Sequence, residues 1–478
     1  MIITPRPYQA DGTNAIRTAM QGGNKRALYV LPTGGGKTIV FSYIAQLAAA
    51  RGKRVLVLAH RKELVKQASD KFTMFGIQHG VIHPDYKLDI QKQSQVASVQ
   101  TLVNRLDKID FNPDLIVVDE AHHACAGQWA RILEHYSNSF VLGVTATPCR
   151  TDGRGLGDVF QFMVQGPQIY ELIKMGFLVE PEIFCPAQID TSKLRRTSSG
   201  DYSQKRVAAL MESDKSLVGD IIKTHQDKIG RGVPTVAFCA SIKHAETVSA
   251  AFAAAGYRSH VVSGKTEKTE RVRILDGLAN GSSEIVCSVD VISEGTDIPS
   301  IGAALLLRPT ASLGLFLQQV GRALRPCAGK DRAIIVDHVG NVGRMVNGVF
   351  KIKHGFPQQH RDWTLSTTKK RKSKNADEPT VNVRMCSECF FVHKPAPKCP
   401  SCGHNYPVQH REIETATGSM QAVKIPENVL KLQQEKKRQR MEVGRARTLP
   451  ELQQIAKKRG YSPGWARHIF YSRQNKKR

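Results

Sequence analysis

The chain has 478 residues, of which 69 are Lys or Arg and 42 are Asp or Glu, so its formal net charge is +27. This length predicts two to four domains, and 41% hydrophobic residues disfavour wholesale disorder. No apolar run approaches the roughly 20 residues of a membrane span, and the N-terminus lacks a signal-peptide pattern. We therefore expect a cytoplasmic protein with no membrane partner, and the positive charge favours nucleic acid as its partner.

Short apolar runs alternate with helix-forming segments in the first part of the chain. Strands are predicted at 27–31, 54–59, 115–118 and 140–144, and helices follow the first two strands at 38–51 and 62–72. Strands that are apolar throughout and separated by helices are typical of a parallel sheet that is buried on both faces. Residues 1–178 are therefore expected to form one α/β domain.

The same alternation restarts after residue 179 and predicts a second α/β domain over residues 179–352. Its strands are expected at 235–238, 260–262, 284–288, 303–307 and 333–336. Residues 353–384 are polar and basic and contain two prolines, so we interpret them as a linker. A cysteine-rich segment, 385–406, and a basic tail, 407–478, complete the predicted order.

The basic tail holds nearly half of the excess charge. Residues 431–478 contain 15 basic and 3 acidic residues, a net charge of +12. Helices are predicted at 428–440, at 449–459 with Gly460 as the stop, and at 464–473. The last two would form a small hairpin with aromatic residues in its core, and the surrounding Lys and Arg residues are expected to contact phosphates.

A glycine-rich loop joins the first predicted strand to the first predicted helix. Gly34, Gly35 and Gly36 would let backbone N–H groups surround a phosphate, and the start of the helix adds positive potential there. Lys37 would reach the β- and γ-phosphates, and the Thr38 hydroxyl would ligate Mg²⁺. The loop therefore predicts a site for ATP and Mg²⁺.

The third predicted strand ends in a pair of acids, Asp119 and Glu120. An apolar strand that carries an acidic pair at its end is the second half of such a phosphate site. Asp119 would hold Mg²⁺, and Glu120 would act as the general base that polarises the attacking water.

These motifs together resemble those of superfamily 2 helicases and translocases. The loop Pro-Thr-Gly-Gly-Gly-Lys-Thr, the Asp-Glu-Ala-His sequence at 119–122 and the Thr-Ala-Thr sequence at 145–147 carry the resemblance, which extends over about 345 residues. It implies an ATP hydrolase built from two tandem RecA-like domains, each a parallel sheet flanked by helices. It also implies that His122, Thr145 and Thr147 couple hydrolysis to movement of the nucleic acid.

The resemblance implies further roles for single residues. Arg6 and Gln9 would lie near the adenine of ATP. Arg322 and Arg325 would be arginine fingers that reach the γ-phosphate from the second domain, so hydrolysis would require a closed cleft. The other residues implied are Arg61 and Thr101 for the nucleic-acid backbone, and Gly295, Asp297 and Gln318 for the nucleotide site.

The motifs favour DNA over RNA as the polymer. DEAD-box RNA helicases usually carry Asp in place of His122 and His-Arg-Ile-Gly-Arg in place of the Gln-Gln-Val-Gly-Arg at 318–322. The pattern is closer to double-strand DNA translocases of the RadD, XPB and type I restriction motor groups. This implies a bacterial or phage protein of DNA repair, recombination or replication, with repair or replication proteins as partners. An RNA-dependent ATPase and the motor subunit of a restriction or phage-defence complex are the alternatives.

Four cysteines are clustered beyond the second predicted domain, as the pairs Cys386/Cys389 and Cys399/Cys402 with nine residues between the pairs. Two Cys-x₂-Cys turns can offer four thiolates to one tetrahedral Zn²⁺, and the sequence Cys-Pro-Ser-Cys-Gly resembles a zinc-ribbon knuckle. Paired disulfides are the alternative and are disfavoured in a reducing cytosol. With four thiolates and no open position, the zinc would be structural, and DNA, a protein partner or the scaffold itself could be what the ribbon contacts.

Overall fold

The computed structural model of the chain consists of two compact units, residues 1–406 and 407–478. It describes residues 4–125, 127–150, 155–186, 190–191, 194–197, 200–213, 216–292, 298–346, 349–365, 383–406, 438, 442–443, 446, 448–460, 464, 466–467 and 470. Gly295 and Asp297, and most of the helix predicted at 428–440, lie outside the described residues.

Seven parallel strands form the first sheet, in the order β3-β4-β2-β5-β6-β1-β7. The strands are β1 Arg26–Val30, β2 Val55–Ala59, β3 His79–Ile82, β4 Ser94–Ser98, β5 Leu115–Asp119, β6 Phe140–Thr145 and β7 Phe162–Gln165. The helices around them are α1 Pro7–Gln21, α2 Lys37–Ala49, α3 Lys62–Met74, α4 Val99–Val103, α5 Gly127–His135 and α6 Ile169–Lys174.

Six parallel strands form the second sheet, in the order β10-β11-β9-β12-β13-β8. The strands are β8 Glu180–Phe184, β9 Thr235–Phe238, β10 Ser259–Val262, β11 Ile285–Ser288, β12 Ala303–Leu306 and β13 Arg332–Asp337. The helices are α7 Gln204–Ser213, α8 Ser216–Lys228, α9 Ile242–Ala254, α10 Lys268–Asn280 and α11 Leu313–Ala323, and a hairpin of β14 Gly343–Val346 and β15 Val349–Ile352 follows.

The predicted fold class is confirmed, since both sheets are parallel and flanked by helices. The central strands were predicted from their apolar runs, whereas β3, β4, β7 and β8 and the helix α1 were not. Strand β4 has the sequence Ser-Gln-Val-Ala-Ser, and its Ser94 and Gln95 are fully buried, so polarity concealed a buried strand. The predicted boundary near residue 179 stays a prediction, although β8, which begins at Glu180, pairs with β13 in the second sheet.

Residues 353–365, the first part of the predicted linker, are packed against the body of the protein. Trp363 and Leu365 contact the apolar core of the first sheet, and the N–H of Gly157 donates to the Leu365 carbonyl at 2.8 Å. The His354 ring stacks on Phe316 of α11, with 5.3 Å between the centroids. This segment therefore bridges both domains; the rest of the predicted linker, 366–382, lies outside the described residues.

Arg361 stabilises this bridging segment through hydrogen bonds. Its N–H donates to the side-chain oxygen of Gln168 at 2.9 Å, and the Gln168 amide donates back to the Arg361 carbonyl at 3.1 Å. Burial lowers the pKa of the guanidinium to about 10. The guanidinium donates to four carbonyl oxygens of the same segment, those of His354, Phe356, Pro357 and Gln359.

The cysteine-rich segment is docked on the second sheet. It contains a short hairpin of β16 Arg384–Met385 and β17 Val392–His393. Phe391 forms an antiparallel bridge with Phe184 at the end of β8, and the Cys185 N–H donates to the Phe390 carbonyl at 3.0 Å. The segment therefore covers part of the exposed edge of β8.

The second unit contains one regular helix among its described residues, α12 Leu449–Arg459, with the bounds that the sequence predicts. Thr448 and Glu451 form a capping box at its start, and Gly460 ends it with φ 67°. Leu452 and Ile455 pack with Phe470, whereas Trp465 and Tyr471 lie outside the described residues. In the described part of the chain, no helix combines the length and apolar character needed to cross a bilayer.

We expect Arg361→Ala to lower the free energy of unfolding by about 2 kcal/mol, because four carbonyls of this partly buried segment lose a charged donor. Urea denaturation of the full chain measures this change, and Arg51→Ala, at an exposed turn, is the control. Equal midpoints for both variants would contradict the bridging role of this segment.

Candidate active site and metal centre

The carboxyl ends of three adjacent strands bring the first-domain motifs together. Strand β1 leads into the glycine loop, β5 ends at Asp119, and β6 ends at Thr145. These strands are neighbours in the order β5-β6-β1, so all three motifs emerge at the same edge of the sheet. Ligands of open α/β sheets bind at this edge.

The glycine loop has the backbone conformation that its composition predicts. Gly34 and Gly36 both have φ 86°, in the left-handed region that favours glycine, and α2 begins directly afterwards at Lys37. A side chain at Gly35 would place its Cβ 2.7 Å from the Cγ of Leu31. Bulkier residues at these positions would therefore distort the loop.

Helix α1 lies against this loop. The Tyr8 hydroxyl donates to the Gly35 carbonyl at 2.7 Å, and the Gln9 amide donates to the same oxygen at 3.1 Å. The Gln9 side-chain oxygen accepts from the Arg6 N–H at 2.9 Å, and the Arg6 guanidinium lies 4.2 Å above the Phe177 ring. Arg6 and Gln9 thus lie beside the loop, but their contact with adenine stays a prediction.

Tyr8 and Phe177 are additions to the site that sequence reasoning did not single out. Their rings lie 5.3 Å apart, centroid to centroid. The sequence could have indicated Tyr8, because it lies beside Gln9, whereas Phe177 lies in no motif.

Asp119 and Glu120 are both buried at the end of β5. Burial and the neighbouring charge of Glu120 raise the pKa of Asp119 to about 7. Burial also acts to raise the pKa of Glu120, but Lys37, His122 and Arg322 outweigh it and bring that pKa to about 2. Glu120 is therefore ionised at neutral pH, as a general base must be.

Lys37 faces both acids. Burial lowers the pKa of its ammonium, and the charges of Glu120 and Asp119 act in the opposite direction. The loop lysine, the acidic pair and Thr38 at the start of α2 are therefore assembled at one edge, as the sequence predicts for ATP and Mg²⁺.

His122 connects the acidic pair to the Thr-Ala-Thr segment. Its Nδ1 lies 3.4 Å from Glu120 Oε2 and 3.3 Å from Thr145 Oγ1. The Thr145 hydroxyl donates to the Thr147 carbonyl at 3.0 Å, and the Thr147 N–H donates back to that hydroxyl at 3.2 Å. The three residues predicted to couple hydrolysis to movement are thus in one continuous set of contacts.

The cleft between the two domains is closed. A Cβ added to Gly321 in α11 would lie 2.7 Å from the Cβ of Thr33, so the backbone of α11 packs against the Thr33 side chain with no room for a side chain of its own. A Cβ added to Gly34 would likewise lie 3.5 Å from the Cγ of Arg325. Helix α11 is therefore packed directly on the phosphate loop.

This packing brings Arg322, which lies in α11, and Arg325, which lies just after the helix, close to Lys37 and the acidic pair. The charge of Arg322 lowers the pKa of Glu120, and the charges of Arg322 and Arg325 both lower that of Lys37. Gln318 is buried on the same helix. The arrangement expected of arginine fingers is present, whereas contact of Gln318 with nucleotide stays a prediction.

Arg61 and Thr101 lie on the first domain at the ends of neighbouring strands. Arg61 precedes α3, and its guanidinium donates to the Asp290 carbonyl of the second domain at 2.8 Å. Thr101 is half-buried in α4. A second bridge between the domains, from Arg271 to Glu63 at 2.9 Å, lies on the same side as Arg61. Contact of Arg61 and Thr101 with a polymer stays a prediction.

The four clustered cysteines converge on one point, as their spacing predicts. Cys386 Sγ lies 3.6 Å from Cys402 Sγ, Cys389 Sγ lies 3.6 Å from Cys399 Sγ, and all four sulfurs are within 4.8 Å of one another. Zn–S bonds of about 2.3 Å at tetrahedral angles would separate the sulfurs by about 3.8 Å. The cluster therefore has the dimensions of a four-thiolate metal site.

Fold and site together define a class of protein, the two-domain motors that hydrolyse nucleotide between their domains. Residues 2–150 match the family described as "Type III restriction enzyme, res subunit", and residues 216–327 match "Helicase conserved C-terminal domain". The chain is 33% identical over 384 residues to a 51.5 kDa protein of a Lactococcus phage, with 80% of this chain and 78% of that protein covered. It belongs to helicase superfamily 2, the nucleic-acid-dependent ATPases.

Other relatives agree with this assignment. The helicase-family protein IRC3 of Saccharomyces cerevisiae is 34% identical over 70% of this chain and 51% of its own length. The DNA 3′–5′ translocase XPB2 of Sulfurisphaera tokodaii is 24% identical over 67% of this chain and 78% of its own length. A fragment structure of an HsdR-type subunit of a type I restriction enzyme from Vibrio vulnificus YJ016 has a TM-score of 0.57 and 25% identity, covering 70% of this chain and 64% of that one. The chain thus spans only about half of the yeast relative.

We expect Gly321→Val to lower the kcat of ATP hydrolysis by at least about tenfold, because its side chain would force α11 away from Thr33 and misplace Arg322. Affinity for a fluorescent ATP analogue should fall less than kcat, since the three glycines of the loop, Lys37 and Thr38 are all retained. Steady-state hydrolysis and analogue titration measure the two effects.

The matched control is Gly127→Ala, because nothing lies within 4 Å of a Cβ added there. A Gly321→Val enzyme with the wild-type kcat would show that the Thr33–Gly321 contact is not needed for hydrolysis.

Proposed function

We propose that this protein is an ATP-driven motor that moves along or remodels DNA. The observation that carries the proposal is the contact of α11 with the phosphate loop, which puts Arg322 and Arg325 of one domain beside Lys37 and Glu120 of the other. Groups divided between two domains are complete only in the closed cleft. Hydrolysis and product release would therefore be linked to closing and opening, which is the movement a motor needs.

The roles of the site residues follow from their chemistry. Lys37 would bind the β- and γ-phosphates, and Glu120, ionised at neutral pH, would accept a proton from the attacking water. Arg322 and Arg325 would balance the charge that spreads over the transferred phosphoryl group. Thr38 and Asp119 would hold Mg²⁺, which supplies positive charge to the phosphates. A bound cation would offset the burial and the negative charge of Glu120 that raise the pKa of Asp119.

DNA is the polymer that the relatives support. XPB2 is named as a DNA translocase, and the restriction-enzyme relatives belong to systems that act on DNA. The net charge of +27 suits a polyanion of either kind, so it does not discriminate. A role in repair, recombination or replication inside a bacterial cell, from a bacterial or phage gene, is part of the proposal, and the phage relative supports only the source.

A second candidate is the motor subunit of a restriction or phage-defence complex. The match of residues 2–150 to a restriction-enzyme family favours it. The two candidates share the DNA-dependent ATPase and differ only in the proteins that accompany it.

We also propose that the cysteine cluster binds a structural Zn²⁺. Four sulfurs at tetrahedral spacing support this ion, since thiolates are the ligands that zinc prefers. His393 is not needed as a ligand, because its Nε2 lies 2.7 Å from the Tyr406 hydroxyl and its Nδ1 lies 2.6 Å from the Lys394 carbonyl. Metal binding would stabilise the segment that covers the edge of β8.

Duplex or single-stranded DNA should raise the ATPase rate of the wild-type protein, and Lys37→Ala should lower the stimulated rate by about 100-fold or more, because the phosphate charge loses its cation. Hydrolysis measured without polymer and with single-stranded DNA, duplex DNA, forked DNA and RNA tests this expectation.

Stimulation by RNA alone would overturn the DNA assignment, and a Lys37→Ala protein as active as wild type would overturn the proposed nucleotide site.

We expect about one zinc per purified chain, measured by plasma mass spectrometry, and almost none in the double variant Cys389→Ser, Cys399→Ser, since two remaining thiolates hold the ion weakly. The thermal midpoint should fall as well, because the cluster is joined to β8 through Cys185.

Cys327→Ser changes a half-buried cysteine outside the cluster and should keep the zinc. An equal zinc content in the double variant would contradict the assignment of these ligands.

A further inference from the structure

Three histidine rings, here termed the stack, pack in series beside the acidic pair, with planes tilted by 59° and 41° between successive rings. The ring centroids of His60 and His123 lie 4.7 Å apart, and those of His123 and His122 lie 4.1 Å apart. All three side chains are half-buried. Only His122 belongs to the motifs that identify the nucleotide site, and the other two have no role assigned so far.

The strand order explains why these residues meet. Strands β2 and β5 are neighbours, with Leu58 opposite Val118, so the residue after β2 lies beside the end of β5. His60 is that residue. Glu120 has φ 50° and begins a 3₁₀ turn, Ala121–His123, which directs the chain back so that the His123 ring reaches His60.

The two ends of the stack have different neighbours, although His60 also lies close enough to Asp119 for its charge to act to lower the pKa of that acid. At one end, His122 Nδ1 lies 3.4 Å from the Glu120 carboxylate. At the other end, His60 precedes Arg61, which contacts the second domain through Asp290 and is the residue predicted to bind the nucleic-acid backbone. The stack therefore forms a short packed connection between Arg61, the residue predicted to bind nucleic acid, and Glu120, the proposed general base.

We propose that His60 and His123 are positioning residues that transmit polymer binding to Glu120 through the ring of His122. A polymer that engages Arg61 shifts the adjoining His60 ring, and the packed rings pass that shift to the carboxylate that orients water. The inference rests on the proposed polymer-dependent ATPase and adds to it the route of the stimulation. The two histidines change the response to polymer and not the chemistry of hydrolysis.

The test compares full-length wild type with His123→Ala and His123→Phe in steady-state ATP hydrolysis, without polymer and with saturating duplex DNA. His123→Ala should reduce the polymer stimulation of kcat by between about 2- and 30-fold, the range found for coupling networks. The polymer-free kcat and the KM for ATP should stay within about twofold of wild type. His123→Phe keeps a ring and should recover most of the stimulation.

The control is His135→Ala, which removes an exposed ring that packs on Tyr136 at the same centroid distance of 4.7 Å but outside the site. His60→Ala should reproduce the loss of stimulation. The double variant His60→Ala, His123→Ala should be no worse than either single variant, because one connection can be broken only once.

Two results would overturn the coupling. One is a His123→Ala protein whose stimulation equals that of the His135→Ala control. The other is an equal loss of the polymer-free and stimulated rates, which would make the stack a general support of Glu120. A wild-type protein that no polymer stimulates would overturn the proposed function itself and this inference with it, so the two failures are distinguishable.

Discussion

The absence of a side chain at Gly321 is the constraint on which the assembled site depends. Because glycine lets α11 approach Thr33, the charges of Arg322 and Arg325 are close enough to lower the pKa of Lys37. The first domain carries three of the charged groups, Lys37, Asp119 and Glu120, and the second domain carries the other two, Arg322 and Arg325. What joins the two domains at this point is a close steric fit between a helix and a loop.

A segment that follows the second sheet attaches the second domain to the first. The segment 353–365 returns from the β14–β15 hairpin to the first domain, where Trp363 and Leu365 join the apolar core. Arg361 keeps the segment in shape by binding its carbonyls. The bridge and the Arg61–Asp290 hydrogen bond involve different residues, so the two domains are joined at two separate places.

The sequence predicted most where chemistry depends on neighbours along the chain. The glycine loop, the acidic pair and the two cysteine pairs each lie within a few consecutive residues, so spacing alone indicated their geometry. It predicted least where contacts depend on strand order. His60 and His123 are 63 positions apart and meet only because β2 lies beside β5.

Polar composition was the other reason why the sequence did not indicate parts of the structure. Arg361 lies in a basic, proline-containing stretch that is typical of a solvated linker, and its burial follows from carbonyl partners that no local pattern indicates. Strand β4 was missed for the same reason, since its Ser94 and Gln95 look exposed and are fully buried. Arg361 and Gln95 each donate hydrogen bonds to nearby carbonyl oxygens, those of Asp89 and Lys92 in the case of Gln95, and this offsets the cost of removing a polar side chain from water.

Strand β8 is the last strand of its sheet, and the cysteine-rich segment pairs with its end through Phe184 and Phe391. An uncovered edge strand presents free N–H and C=O groups that another chain can extend into a shared sheet. The cysteine-rich segment therefore also protects this protein against self-association. On the proposal that the four cysteines hold zinc, a chain that has not yet bound the ion would leave this edge uncovered, and the supply of zinc during synthesis would bear on the yield of soluble protein.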